Sequence, residues 1–143
     1  MRKAVTAILA AALAAAPAAA QVATGTMGPL RPDQQRFRDL YEELVETNTT
    51  LSVGNCTQAA EQIATRLKAA GLPAENVHVL TVPDHPKEGS LVAVYPGTSS
   101  SAKPILLLGH IDVVEANRAD WERDPFTLVE ENGYFYGRGA SDD

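Results

Sequence analysis

Cysteine occurs once in these 143 residues, at Cys56, so the chain can close no internal disulfide. Stability has to come from a packed core or from metal. Basic residues are also short: 12 Lys and Arg stand against 18 Asp and Glu, a formal net charge of −6. So acidic a surface argues against nucleic acid or an anionic membrane as partner. After residue 20 there is no long apolar run, which excludes a second segment of membrane-spanning length, and there is neither an internal repeat nor a low-complexity tail. Histidine is confined to positions 78, 85 and 110.

The one long apolar run stands at the start. Arg2 and Lys3 precede an Ala/Leu/Ile/Val-rich stretch that closes on Ala18-Ala19-Ala20, the three-part pattern of a signal peptide with a small-x-small cleavage site. The apolar core, residues 4–16, is shorter than the roughly 20 residues that span a bilayer, and Pro17 interrupts it. Residues 1–20 are therefore expected to be cleaved before Gln21, leaving a secreted or periplasmic product with no membrane attachment. That product has 123 residues, near the commonest domain size of about 100–150. Losing Arg2 and Lys3 leaves 10 basic against 18 acidic residues, a net charge of −8.

Residues 21–30 carry Gly, Thr and Pro without periodicity and read as a flexible leader. Pro32 and Asp33 suit a first helical turn, after which Phe37, Leu40, Tyr41, Leu44 and Val45 form one apolar stripe. The polar run 47–57 breaks that helix. A second amphipathic helix is expected from about Thr57, through Ala60, Ile63, Ala64 and Leu67, ending at Gly71. With Asn and Thr beside it, Cys56 reads as a small residue at that helix start, not as a nucleophile. The Asn48 and Asn55 glycosylation patterns are short enough to arise by chance.

Strands are expected in "NVHVLTV", "SLVAVYPG" and "KPILLLG", with a solvated turn between the last two. The continuous aliphatics from Ile105 to Leu108 suggest a strand covered on both faces, and the two helices should pack on one sheet with it. Asn132-Gly133 between β-prone runs predicts a tight hairpin. His78 should face solvent and His85 should lie in a Pro-flanked loop. The order, two amphipathic helices and then strands of a mixed sheet, gives an α/β class.

Ligands of open α/β sheets sit beyond the carboxyl ends of the strands, where Gly109-His110-Ile111-Asp112 would fall. Alternation along a strand puts His110 and Asp112 on the same face. There a carboxylate can take the proton of the ring nitrogen that does not bind metal, fixing tautomer and ring direction. His-x-Asp alone equally describes a hydrogen-bonded pair at a strand end. A second cluster, residues 137–143 ("GRGASDD"), sets two carboxylates after a pair of glycines, where backbone can turn sharply close to a ligand. Imidazole with carboxylate suits a divalent ion such as zinc.

"GHIDVVEANRADWERDPF" and "ENGYFYGRGASDD", in that order, resemble two segments of the co-catalytic two-zinc exopeptidases and amidohydrolases. That family includes aminoacylase, acetylornithine deacetylase, succinyl-diaminopimelate desuccinylase, carnosinase and glutamate carboxypeptidase. The resemblance runs from about Phe37 to Asp143 and is strongest after Pro104. It implies part of a three-layer α/β/α catalytic domain over residues 31–143. It further implies His110 as a zinc ligand, Asp112 as the active-site carboxylate that orients it, and Asp142 as the aspartate bridging two zinc ions, with cobalt or manganese as substitutes. Asp143 is then a neighbour, and Trp121, Pro125 and Phe126 pack around the site.

Members of that family hydrolyse a peptide or N-acyl-amino-acid amide beside a free carboxylate, and some are homodimers. Two zinc ions activate a shared water while a glutamate serves as general base. The resemblance places that glutamate and the remaining ligands downstream of the segment ending at Asp143, so the 143 residues are expected to be an inactive amino-terminal fragment. Two rivals stand beside this reading. An iron-dependent oxygenase would need a histidine after His110, and none is present. A non-catalytic exported binding module would keep the sheet without a complete metal site.

Overall fold

The structure is a computed structural model and describes residues 28–141. The expected signal peptide, residues 21–27 of the leader, Asp142 and Asp143 lie outside the described residues. No described helix is long and apolar enough to cross a membrane.

Helix α1 spans Pro32–Glu46. Pro32 sits in the first turn, where its missing N–H costs nothing, and the Gln34 side chain accepts from the Arg31 N–H at 3.0 Å. Helix α2 spans Cys56–Ala69. Asn55 caps it by accepting from the Gln58 N–H at 3.0 Å, and Gly71, at φ +97°, ends it in the left-handed region. Cys56 is thus the first helical residue, as expected.

Strands β1 (Val77–Val82) and β2 (His85–Ala93) form an antiparallel hairpin, with Val77 opposite Ala93 and Val79 opposite Leu91. His78 is exposed on β1, as alternation predicts. His85 is not in a loop: the turn is shorter than the Pro-flanked sequence suggests, and His85 opens β2 opposite Val82. Ala59, Ala60 and Ala64 of α2 are buried, and α2 lies on this hairpin. Thr57 ties the two together, donating to the Pro86 carbonyl at 2.7 Å and accepting from the Gly89 N–H at 2.8 Å. A Cβ at Gly89 would stand 2.4 Å from the Thr57 hydroxyl, so only glycine allows this approach.

Strands β3 (Val129–Glu131) and β4 (Tyr134–Tyr136) form the second hairpin. Its turn is Asn132-Gly133, at φ 54° and 80°, as the dipeptide predicts for a turn with two positive φ angles. This hairpin receives α1. Tyr41 stacks on Phe37 at 6.5 Å and tilts against Phe135 at 5.4 Å, ring contacts worth about 0.5–1.5 kcal/mol each beyond their burial. Arg38 lies over the Phe135 ring and reaches Glu130 at 3.2 Å, and the Glu46 carboxylate accepts from the Leu128 N–H at 3.1 Å.

The α/β expectation holds in its order of two helices followed by strands, and the pairings formed are antiparallel. Two details differ. The helices do not share a sheet, because α2 covers β1–β2 while α1 faces β3–β4. Ile105 to Leu108 is not a paired strand: no described segment hydrogen-bonds beside it, and its four side chains are 83–89% exposed. Aliphatic composition favours a sheet interior but cannot make one without neighbouring backbone to pair with.

Candidate metal site at the His110 segment

The segment 109–115 is threaded between two loops. On one side the Val113 N–H donates to the Thr49 carbonyl at 3.4 Å. The Glu115 carboxylate accepts there from both the N–H and the hydroxyl of Ser52, each at 2.9 Å. On the other side the Gly137–Gly139 turn closes over it, and Arg138 Nη2 donates to the Glu115 carbonyl at 3.2 Å.

Each loop is built from local chemistry. Asn48 Oδ1 accepts from the N–H and hydroxyl of Thr50, at 2.9 and 2.8 Å, which folds the chain after α1. Thr47, Thr49 and Thr50 are buried in consequence. Both asparagines of the glycosylation patterns are therefore engaged, Asn48 in this turn and Asn55 in the helix cap. In the opposite loop the guanidinium of Arg138 lies 4.9 Å from the Trp121 ring, and the main-chain N–H of Arg138 donates to the Pro125 carbonyl at 2.7 Å. Trp121, Pro125 and Phe126 are at least partly buried, the packing role expected of them.

His110 and Asp112 do meet. Nδ1 of His110 lies 2.9 Å from the Asp112 carbonyl oxygen and 3.4 Å from its carboxylate. A carbonyl oxygen only accepts, so Nδ1 carries the hydrogen and the lone pair of the neutral ring sits on Nε2. That is the tautomer in which a histidine binds metal through Nε2. The imidazole is half-exposed on the wall of an open cavity of about 690 Å³ that also takes in Ser52, Cys56, Lys87 and Glu88.

The thiol of Cys56 faces the Thr49 carbonyl at 3.8 Å. Burial pushes the Cys56 thiol up from its ordinary value, and the negative charges of Asp112 and Glu88 add to the effect. It is a protonated cavity wall, not a thiolate nucleophile. His85 pairs with Glu88 at 3.2 Å on the exposed hairpin.

Among the described residues no group of three or more His, Cys, Asp or Glu is placed to hold a metal ion. His110 meets the requirement for a single ligand, an imidazole whose tautomer and direction are held from behind. Asp142, the other expected ligand, lies outside the described residues. Sequence reasoning overlooked the supports: Ser52, Glu115, Arg138 and Tyr41, whose hydroxyl donates to the Ala140 carbonyl at 2.6 Å. Two of them had a visible signal: Tyr41 as a polar tip on an otherwise apolar stripe, and Arg138 through its place between two glycines.

Residues 106–143 match the model of Peptidase family M20/M25/M40. Acetylornithine deacetylase of Dictyostelium discoideum is 44% identical over 88 residues, 57% of this chain and 20% of that protein. Aminoacylase-1 of Sus scrofa is 33% identical over 104 residues, covering 72% and 24%. Succinyl-diaminopimelate desuccinylase of Xanthomonas campestris pv. campestris is 40% identical over 81 residues, covering 56% and 19%. The chain thus spans 19–24% of the length of these three relatives. No solved structure matches.

Proposed function

Because the chain belongs to Peptidase family M20/M25/M40, we propose that the protein it comes from hydrolyses an amide bond with the help of zinc. The substrate class is a short peptide or an N-acyl amino acid, since relatives of this chain bear the names acetylornithine deacetylase and aminoacylase-1. His110 and Asp142 would hold the metal. The observation that carries this reading is the contact of His110 Nδ1 with Asp112, 2.9 Å to its carbonyl and 3.4 Å to its carboxylate, a tautomer that supports ligation through Nε2.

When bound, zinc lowers the pKa of a coordinated water and polarises the substrate carbonyl. The chain's own residues prepare for that. Asp112 keeps the proton on Nδ1 and offsets the positive charge that builds on the ring when Nε2 donates its lone pair. Glu115 and Ser52 hold the segment on one flank, and Arg138 holds it on the other, so the imidazole cannot swing with the loop. A catalytic zinc takes three protein ligands with water; His110 and Asp142 are two of them, and the proposal concerns the protein in which the set is complete. Cobalt or manganese would serve in the same donors. The start of the chain supports export, with residues 1–20 as the signal peptide and the periplasm or exterior as destination.

The test uses the full-length polypeptide, assayed for zinc content and for release of amino acid from N-acyl substrates. Wild type should hold zinc and hydrolyse the amide, and His110→Ala should lose both. Equal zinc content and equal turnover in the two proteins would end this reading.

A further inference from the structure

We propose that the cavity beside His110 receives the acyl chain of the substrate, and that the chain it suits is an aliphatic one several carbons longer than acetyl. The inference rests on the reading of His110 as a metal ligand in an amide-cleaving site, and it names the half of the substrate that lies against this wall.

The cavity holds about 690 Å³, within the range of about 300–1,000 Å³ typical of small-molecule pockets. An acetyl group would leave most of it to water. Its wall is mainly apolar: Leu51, Cys56, Pro86, Ile111 and Val113 line it together with His110. Ile111 and Val113 are only partly exposed, whereas Leu51 is 85% exposed. Single exposed leucines are common on protein surfaces, but this one lines a cavity from a pinned turn. Ser52 beside it is tied through both N–H and hydroxyl to the Glu115 carboxylate, each at 2.9 Å, and the Gly54 N–H donates to the Thr50 carbonyl at 2.9 Å. The apolar area of Leu51 is therefore held in place at the cavity edge, where a ligand gains by covering it.

Charge decides which half of an N-acyl amino acid enters. The metal aside, Lys87 brings one positive charge to the wall, while Glu88 and Asp112 bring two negative ones. His85 stands beside Glu88 at 3.2 Å and His110 beside Asp112 at 3.4 Å, and a neutral imidazole cancels neither carboxylate. The amino-acid half of the substrate carries a free carboxylate, which this wall repels and which is costly to take out of water. The acyl half is uncharged and gains from leaving water. Cys56, the single cysteine, sits on the same wall, so its alkylation reports whether the cavity is filled.

The experiment uses the full-length protein, stripped of metal. Iodoacetamide labelling of Cys56 is followed at one alkaline pH, where the thiolate forms, with N-acetylalanine, N-hexanoylalanine or N-decanoylalanine present below its micelle concentration. Protection of the thiol as a function of ligand concentration gives the affinity. Each added CH₂ should tighten binding about two- to fourfold, the upper figure corresponding to complete burial. N-acetylalanine should thus protect least and N-decanoylalanine most. Leu51→Ser should weaken N-decanoylalanine about three- to tenfold and leave zinc content at the wild-type level. Val53→Ser changes a residue of the same turn that is 70% exposed and lies outside the cavity wall; it should bind within about twofold of wild type. Equal protection by the three ligands, protection by none, or the same loss in Leu51→Ser and Val53→Ser would overturn the proposal while the zinc test of His110→Ala still stood. Zinc content and turnover unchanged in His110→Ala would end the site reading, and with it the claim that this ligand is the substrate.

Discussion

The imidazole of His110 is nearer to the main chain of Asp112 than to its side chain, 2.9 Å from the carbonyl oxygen against 3.4 Å from the carboxylate. The ring direction is therefore secured twice, and only the second contact carries charge. Loss of a partner behind a metal-bound histidine costs about 10–100-fold in metal affinity. Here Asp112→Ala should fall near the low end, about tenfold, because the carbonyl still holds Nδ1–H. Asp112→Asn should cost less than Asp112→Ala. Chelator competition on the full-length protein decides it; a hundredfold loss in Asp112→Ala would mean that the carboxylate does the orienting and the carbonyl contact does not.

Gly139 joins positive φ to a close approach, since a Cβ would lie 2.7 Å from Val113 Cγ1. An alanine at that φ costs about 1–2 kcal/mol in backbone strain, and crowding a stiff β-branched side chain costs about 1–3 kcal/mol. Gly139→Ala should therefore lower unfolding free energy in urea by about 2–5 kcal/mol. Strain and crowding separate in a cycle with Val113→Ala, which should show about 1 kcal/mol of favourable coupling. Purely additive losses would place the whole cost in the backbone.

Much of this arrangement could be read from residues whose rules are local. Pro32, Asn55 and Gly71 mark helix ends through hydrogen bonds and φ angles that neighbouring residues decide, and Asn132-Gly133 marks its turn in the same way. Alternation at a strand end predicts the proximity of His110 and Asp112; the two do meet, but in a segment that forms no strand, with the ring nearer the Asp112 carbonyl than its carboxylate. Partners far apart in the chain were not legible. Nothing in an aliphatic stripe says that α1 will meet β3–β4 while α2 takes β1–β2, since any apolar face can cover any other. Ile105 to Leu108 illustrates the limit: composition reports an appetite for burial, but pairing depends on which backbone lies alongside, and among the described residues none does.

Arg138 was legible only as part of a glycine-flanked pattern, yet its contacts bind three segments. Its guanidinium lies 4.9 Å from the Trp121 ring, Nη2 donates to the Glu115 carbonyl at 3.2 Å, and Nε is buried without a hydrogen-bond partner. The planar group can stack and donate at once, which an ammonium cannot. Arg138→Lys should therefore destabilise by about 1–2 kcal/mol, combining a lost hydrogen bond with a lost cation–π contact, offset in part by relief of the buried Nε. Urea titration gives the value, and tryptophan fluorescence should shift because Trp121 is the single indole. An unchanged midpoint and spectrum would show that the stacked geometry contributes nothing beyond charge.

The Cys56 thiol is raised first by burial and then by the charges of Asp112 and Glu88. A thiol held protonated reacts slowly, since only the thiolate attacks. Alkylation by iodoacetamide should accordingly follow a pH profile whose midpoint lies above 9.0, the ordinary value for this group. Asp112→Asn should move that midpoint down only slightly, because burial is the larger cause and survives the substitution. The same shift has a consequence for stability. Between the unfolded and folded thiol values the unfolded chain binds fewer protons, so unfolding releases one, and stability falls as pH rises through that interval. A midpoint below 9.0, or one restored to it by Asp112→Asn alone, would mean that local charge outweighs burial at the cavity wall beside His110.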